Sequence, residues 1–209
     1  MFPKLTPATR AIIYINIVLF LLEQVATRPI LLHFALWPLG MPEALFRPWQ
    51  LVTYAFLHDP KSILHIFFNM FALYMFGPAL ERYWSGRRFL AYYLVCVIAA
   101  GATQLAVEYA SGTGEPTIGA SGGIFGILLA FAVLFPRARL LLLLPPIPMP
   151  AWLFVTLYGV LELFFGVTGT QASVAHFAHL GGMLGGALVL LYWRLRAGRG
   201  GGAGGWRPA

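Results

Sequence analysis

Gly119-Ala120-Ser121-Gly122 opens an apolar, glycine-rich run that ends near Phe135 and has the character of a membrane span. A second short stretch, His179-Leu180-Gly181-Gly182, lies inside another apolar segment. Unpaired polar groups cost free energy in hydrocarbon, so a glycine-flanked serine and a histidine in such segments call for a reason.

The surrounding composition agrees with a membrane setting. Of 209 residues, 59% are hydrophobic and only 10% charged, whereas a soluble domain carries about 25% charged residues. No aqueous domain of any size fits in what remains. The net charge of +7 comes mainly from arginines near the ends of apolar runs. It reads as a topology signal and not as a nucleic-acid footprint. Cys96 is the single cysteine, so no intrachain disulfide can form.

Six spans are expected, at about 11–25, 63–80, 89–109, 121–135, 151–166 and 173–193. Several fall below the roughly 20 residues of a full crossing, which suits a protein that thins its bilayer or admits water from one side. The basic start could introduce a signal peptide, but Val25-Ala26-Thr27 is a poor cleavage site and more spans come after it. Lys4, Arg10, Arg82, Arg87, Arg88, Arg137, Arg139, Arg194, Arg196 and Arg199 fall on one side of this arrangement; only Arg28, Arg47 and Lys61 fall on the other. The positive-inside rule then puts both termini in the cytoplasm. The expected fold is all-α, a polytopic six-helix membrane bundle forming one domain over residues 1–196, with a flexible cytoplasmic tail at 197–209. Residues 27–62 are too apolar for an ordinary loop and too broken by Pro29, Pro38, Pro42 and Pro48 to span, so they read as an interfacial loop in the outer leaflet.

Counting from the basic anchors tests whether the polar residues share a depth. Ser121 lies 16 residues before Arg137 and His179 lies 15 before Arg194, roughly 24 and 22 Å of helix. His65 lies 17 and Asn69 lies 13 residues before Arg82, roughly 25 and 20 Å. The four side chains therefore fall in one layer, below the outer surface, on three helices running in the same direction. Gly122/Gly126 and Gly182/Gly186 give two of those helices small-xxx-small faces that permit close approach. If Ser121 and His179 meet, they are a nucleophile and its general base placed where water is scarce, as in a peptidase that cuts within the bilayer. Ser121 stands at a helix N-terminus, where free N–H groups can hold an oxyanion. His65 and Asn69, an i, i+4 pair, could add side-chain donors.

Gly119-Ala120-Ser121-Gly122, His179 with Gly182 and Gly186, and His65-Ile66-Phe67-Phe68-Asn69 together resemble the rhomboid intramembrane serine proteases, over roughly residues 49–186. The resemblance implies a six-helix bundle, a dyad of Ser121 and His179 without an aspartate, and an oxyanion site of His65, Asn69 and the Ser121 N–H. It implies transmembrane protein substrates with helix-weakening residues, lateral entry by movement of the fifth span, and no metal or other cofactor. It departs at Trp49-Gln50, where the family often has Trp-Arg, and at Phe125, where a tyrosine commonly packs on the histidine.

Blander readings remain beside each residue. Ser121 could be a small packing residue, His179 a satisfied core histidine, and His65 and Asn69 interhelical hydrogen bonders. His176 reads as structural, His58 as a loop cap or a group that hydrates the site, and Glu162 as a structural or solvated carboxylate that could reach the outer cavity. Two other classes also stay open: a non-catalytic rhomboid-like binding factor, and a metal or haem protein using His58, His65, His176 and His179. Spacing and the glycine-flanked serine argue against the last. A bacterial inner membrane is the expected location, with the lipid bilayer and membrane proteins as partners and no nucleic acid.

Overall fold

In hydrocarbon a chain must satisfy its backbone internally, which for apolar runs of this length means helix. The structure, a computed structural model, describes residues 3–40, 45–112, 114–141, 147–170 and 174–199, and these are mostly helical. The elements are α1 (Pro7–Phe34), a short α2 (Gln50–Thr53) continued by a 3₁₀ turn (Tyr54–Phe56), α3 (Ile63–Trp84), α4 (Gly86–Ser111), α5 (Ser121–Leu134), a two-stranded hairpin of β1 (Arg139–Leu141) and β2 (Pro148–Pro150), α6 (Ala151–Thr168) and α7 (His176–Arg199). Among the described residues α1, α3, α4 and α6 are long and apolar enough to cross a bilayer, while α5 is apolar but has only 14 residues. The protein is a membrane protein. In α7 the histidines and glycines of the first half dilute the hydropathy, although its 24 residues are long enough.

The first helix runs past its expected end. A non-helical residue, Ala26 (φ −131°, ψ 45°), kinks α1, and helix resumes through Phe34. Pro29 sits in the first turn after that break, where its missing N–H removes no helical bond. The stretch expected to be loop from residue 27 is therefore helical for its first eight residues. Beyond α1, Gln50 organises the loop. It is fully buried, its Oε1 accepts from the Arg47 N–H (3.1 Å) and the Trp37 N–H (3.4 Å), and its Nε2 donates to the Leu45 carbonyl (3.2 Å). Where the resemblance led to an arginine being expected, this chain uses an uncharged amide to knit these segments together.

Between α3 and α4 the chain reverses over one residue, Ser85, whose φ of +93° is a rare, strained value for a side-chain-bearing residue. Near that turn the Glu81 carboxylate caps the start of α1: it accepts from the Ala8 N–H (2.8 Å), the Thr9 N–H (2.7 Å) and the hydroxyls of Thr9 and Thr6.

The bundle's centre is α4 with α5 and α7. Buried Tyr92, Tyr93, Cys96 and Val97 of α4 form the core, and the Tyr92 hydroxyl donates to the Gly126 carbonyl at 2.8 Å. Facing α5, a Cβ at Gly182 would collide with the Gly122 carbonyl, so α7 and α5 meet backbone to backbone. By contrast α6 is peripheral: only Ala151, Val155 and Glu162 of its 18 residues are buried. The expected tail at 197–209 begins as helix, since α7 continues to Arg199; residues 200–209 lie outside the described residues.

Candidate active site

Ser121 is the first residue of α5, half-buried, at the end of a tightly held loop. The Gly119 N–H donates to the Tyr54 carbonyl (3.0 Å), and Leu36 and Thr117 exchange backbone hydrogen bonds of 3.0 and 2.9 Å just upstream. Gly119 has φ +127°, a value that L side chains rarely adopt. Space demands glycine here as well. A Cβ would stand 2.9 Å from His65 Nε2 and 3.6 Å from Ser121 Oγ, so the imidazole of α3 and the hydroxyl of α5 converge on this residue.

On α7, one turn from its start, His179 Nε2 lies 2.8 Å from Ser121 Oγ. Its Nδ1 donates to Glu162 Oε2 at 2.8 Å. Because a carboxylate only accepts, the proton sits on Nδ1 and the Nε2 lone pair faces the hydroxyl. The Phe125 ring stacks on the imidazole with centroids 4.2 Å apart and planes 7° from parallel. The ring contact expected of Phe125 is thus present without the hydroxyl. His176 Nδ1 also donates to Glu162 Oε2, at 2.7 Å, and its Nε2 faces the Thr170 carbonyl at 3.2 Å.

His65 takes the opposite tautomer. The Asp59 N–H donates to its Nδ1 (3.4 Å), which puts the ring proton on Nε2, the atom nearest Gly119 and the serine. Asn69 is buried and donates one amide hydrogen to the His65 carbonyl at 2.8 Å, leaving the other uncommitted in that bond. His58 is fully buried, 4.9 Å from the His65 ring. Its backbone N–H donates to the Glu23 carboxylate of α1 at 3.1 Å, and neither ring nitrogen has a partner among the described residues.

The residues expected to share a layer, Ser121, His179 and His65, are brought together, with Asn69 one turn below His65. Glu162, expected as a structural or solvated carboxylate that could reach the outer cavity, contacts both histidines of α7. The available signal was a carboxylate inside an apolar helix, which requires a partner. One ligand atom from each of Glu162, His176 and His179 lies within 4.8 Å of the other two, a donor set that could hold a metal ion. The 2.7 and 2.8 Å separations are hydrogen-bond lengths, and hydrogen bonding accounts for them.

What such an arrangement can do is activate a hydroxyl beside backbone and imidazole donors. The stretch of chain that carries it is similar to known proteins. A rhomboid domain matches residues 46–196. Rhomboid protein 1, mitochondrial, of Saccharomyces cerevisiae is 32% identical over 145 residues, covering 68% of this chain and 41% of that protein. Rhomboid protease GlpG of Serratia proteamaculans is 29% identical over 198 residues, 92% of this chain and 64% of that protein. Rhomboid protease GluP of Bacillus subtilis is 32% identical over 140 residues, 66% of this chain and 24% of that protein. The chain spans less than two thirds of the length of each of these relatives. With most of its length matched by the domain, including both sides of the serine–histidine contact, the chain belongs to the rhomboid family.

Proposed function

We propose that the protein is an intramembrane serine endopeptidase hydrolysing peptide bonds in or near transmembrane segments, with Ser121 as nucleophile and His179 as general base. The observation that carries this reading is the 2.8 Å approach of His179 Nε2 to Ser121 Oγ inside an apolar bundle. Ser121 Oγ attacks the scissile carbonyl while its proton passes to His179 Nε2. The oxyanion is held by the Ser121 N–H, His65 Nε2–H and the second Asn69 amide hydrogen. His179 then gives its proton to the leaving amine, and water, deprotonated by the same nitrogen, hydrolyses the acyl-enzyme. A helical peptide bond is shielded by its own hydrogen bonds, so substrates carry helix-weakening residues near the outer face.

The topology that goes with this mechanism has six spans with both termini in the cytoplasm, in a bacterial inner membrane. On it α3, α5 and α7 descend from the outer face, and the site lies in the outer half. A fluorophosphonate probe is expected to label the parent protein at Ser121, and Ser121→Ala is expected to lose labelling and cleavage while still folding. Cleavage by the folded alanine variant would sink the assignment. The non-catalytic alternative predicts no labelling at all, and against it stands the retention of both serine and histidine in bonding contact.

A further inference from the structure

We propose that Glu162 of α6 is a positioning residue, which turns the serine–histidine pair into a three-member arrangement in which its carboxylate fixes the tautomer and orientation of His179. The inference rests on the peptidase reading and deepens it. Glu162, His176 and His179 are 4%, 5% and 7% exposed, so these hydrogen bonds face little competition from water. A carboxylate is one of only three buried residues on α6, and an unpaired one there would be costly. Its Oε2 accepts from both Nδ1–H groups, at 2.7 and 2.8 Å. His176 holds the same carboxylate oxygen, with its own Nε2 at the Thr170 carbonyl. Phe125, stacked flat on His179, blocks rotation out of that plane.

The chemical result depends on which nitrogen holds the proton. With Nδ1–H donated to Glu162, the Nε2 lone pair faces Ser121, as the base must. When His179 takes the serine proton it becomes a cation directly bonded to a carboxylate. Glu162 neither gains nor loses a proton in the cycle; the proton returns from His179 to the leaving amine. Had Glu162 merely tied α6 to α7, the chemistry of the serine would not depend on its charge.

The test compares Glu162→Gln with the parent and with Ser121→Ala, reconstituted in liposomes with a transmembrane substrate. Glu162→Gln is expected to lower kcat and the rate of fluorophosphonate labelling by about 10²–10⁴-fold. KM should stay within about twofold, and Glu162→Asp should recover part of the rate. Parental kcat in Glu162→Gln beside an inactive Ser121→Ala overturns the role of Glu162 alone; so does a loss confined to KM or to thermal stability. Activity in Ser121→Ala instead overturns the peptidase reading. Should the glutamine variant not fold, ¹⁵N-histidine NMR of the parent decides: a proton on His179 Nδ1 at neutral pH is expected, and a proton on Nε2 in its place overturns the inference.

Discussion

Burial of the His58 ring, with the His65 imidazole beside it, pushes its pKa down from 6.5 to about 3. The unfolded chain therefore binds the extra proton first as the medium is acidified. Stability linked to this residue is intact above pH 6.5 and is lost progressively as pH falls from 6.5 toward 3. The thermal midpoint in detergent should drop across that window, less steeply in His58→Gln; an equally steep decline in the variant removes His58 from the account. Glu81 makes a second prediction at this scale. Glu81→Ala strips the acceptor from the Ala8 and Thr9 N–H groups, and the loss of such charge-assisted bonds should cost about 1–3 kcal/mol, seen as a lower midpoint with kcat unchanged. The meeting of Ser121 and His179 was legible because each is a polar residue among glycines in an apolar segment, at similar residue counts from an arginine anchor. Glu162 was not, because its partners lie on a helix of opposite direction and no spacing rule connects them.

Among the elements, α5 and α7 depend on the absence of side chains where they cross. Gly182→Val should force the two backbones apart, since even a Cβ overlaps the Gly122 carbonyl. Overpacking of this kind costs about 1–3 kcal/mol or more. Here it also separates the elements carrying His179 and Ser121, so labelling by the fluorophosphonate should fall together with the midpoint. Normal labelling in the variant would mean that the contact does not set the dyad's geometry. The glycine pairs of both helices were visible as a repeat of four, but only Gly182 has α5 as its nearest neighbour; Gly122, Gly126 and Gly186 first meet Ala100, Cys96 and Tyr92 of α4. Less legible were the ends. The expected stop of α1 at Val25 coincides with the kink at Ala26, but the chain then resumes its helix. Apolar periodicity cannot distinguish a stop from a bend when proline comes after either.

Across the whole molecule, the asymmetry of basic residues and the proposed co-directional course of α3, α5 and α7 make one prediction about orientation. A fluorescent protein fused after Ala209 should fluoresce in a bacterial host, and an export-dependent phosphatase inserted at Glu115 should be active. The reverse pattern would invert the topology. The helical membrane fold was legible because little else satisfies so apolar a backbone. The peripheral standing of α6 was hidden, because its hydropathy resembles that of better-packed helices.

That standing has a consequence for safety. The helix with only three buried residues out of 18 also carries the carboxylate that steers His179. If a substrate enters by pushing α6 aside at the Glu162 level, the doorway and the blade cannot be open and sharp at once. Hydrolysis must wait until the wall swings home behind the guest, and neighbours brushing past an ajar door are spared.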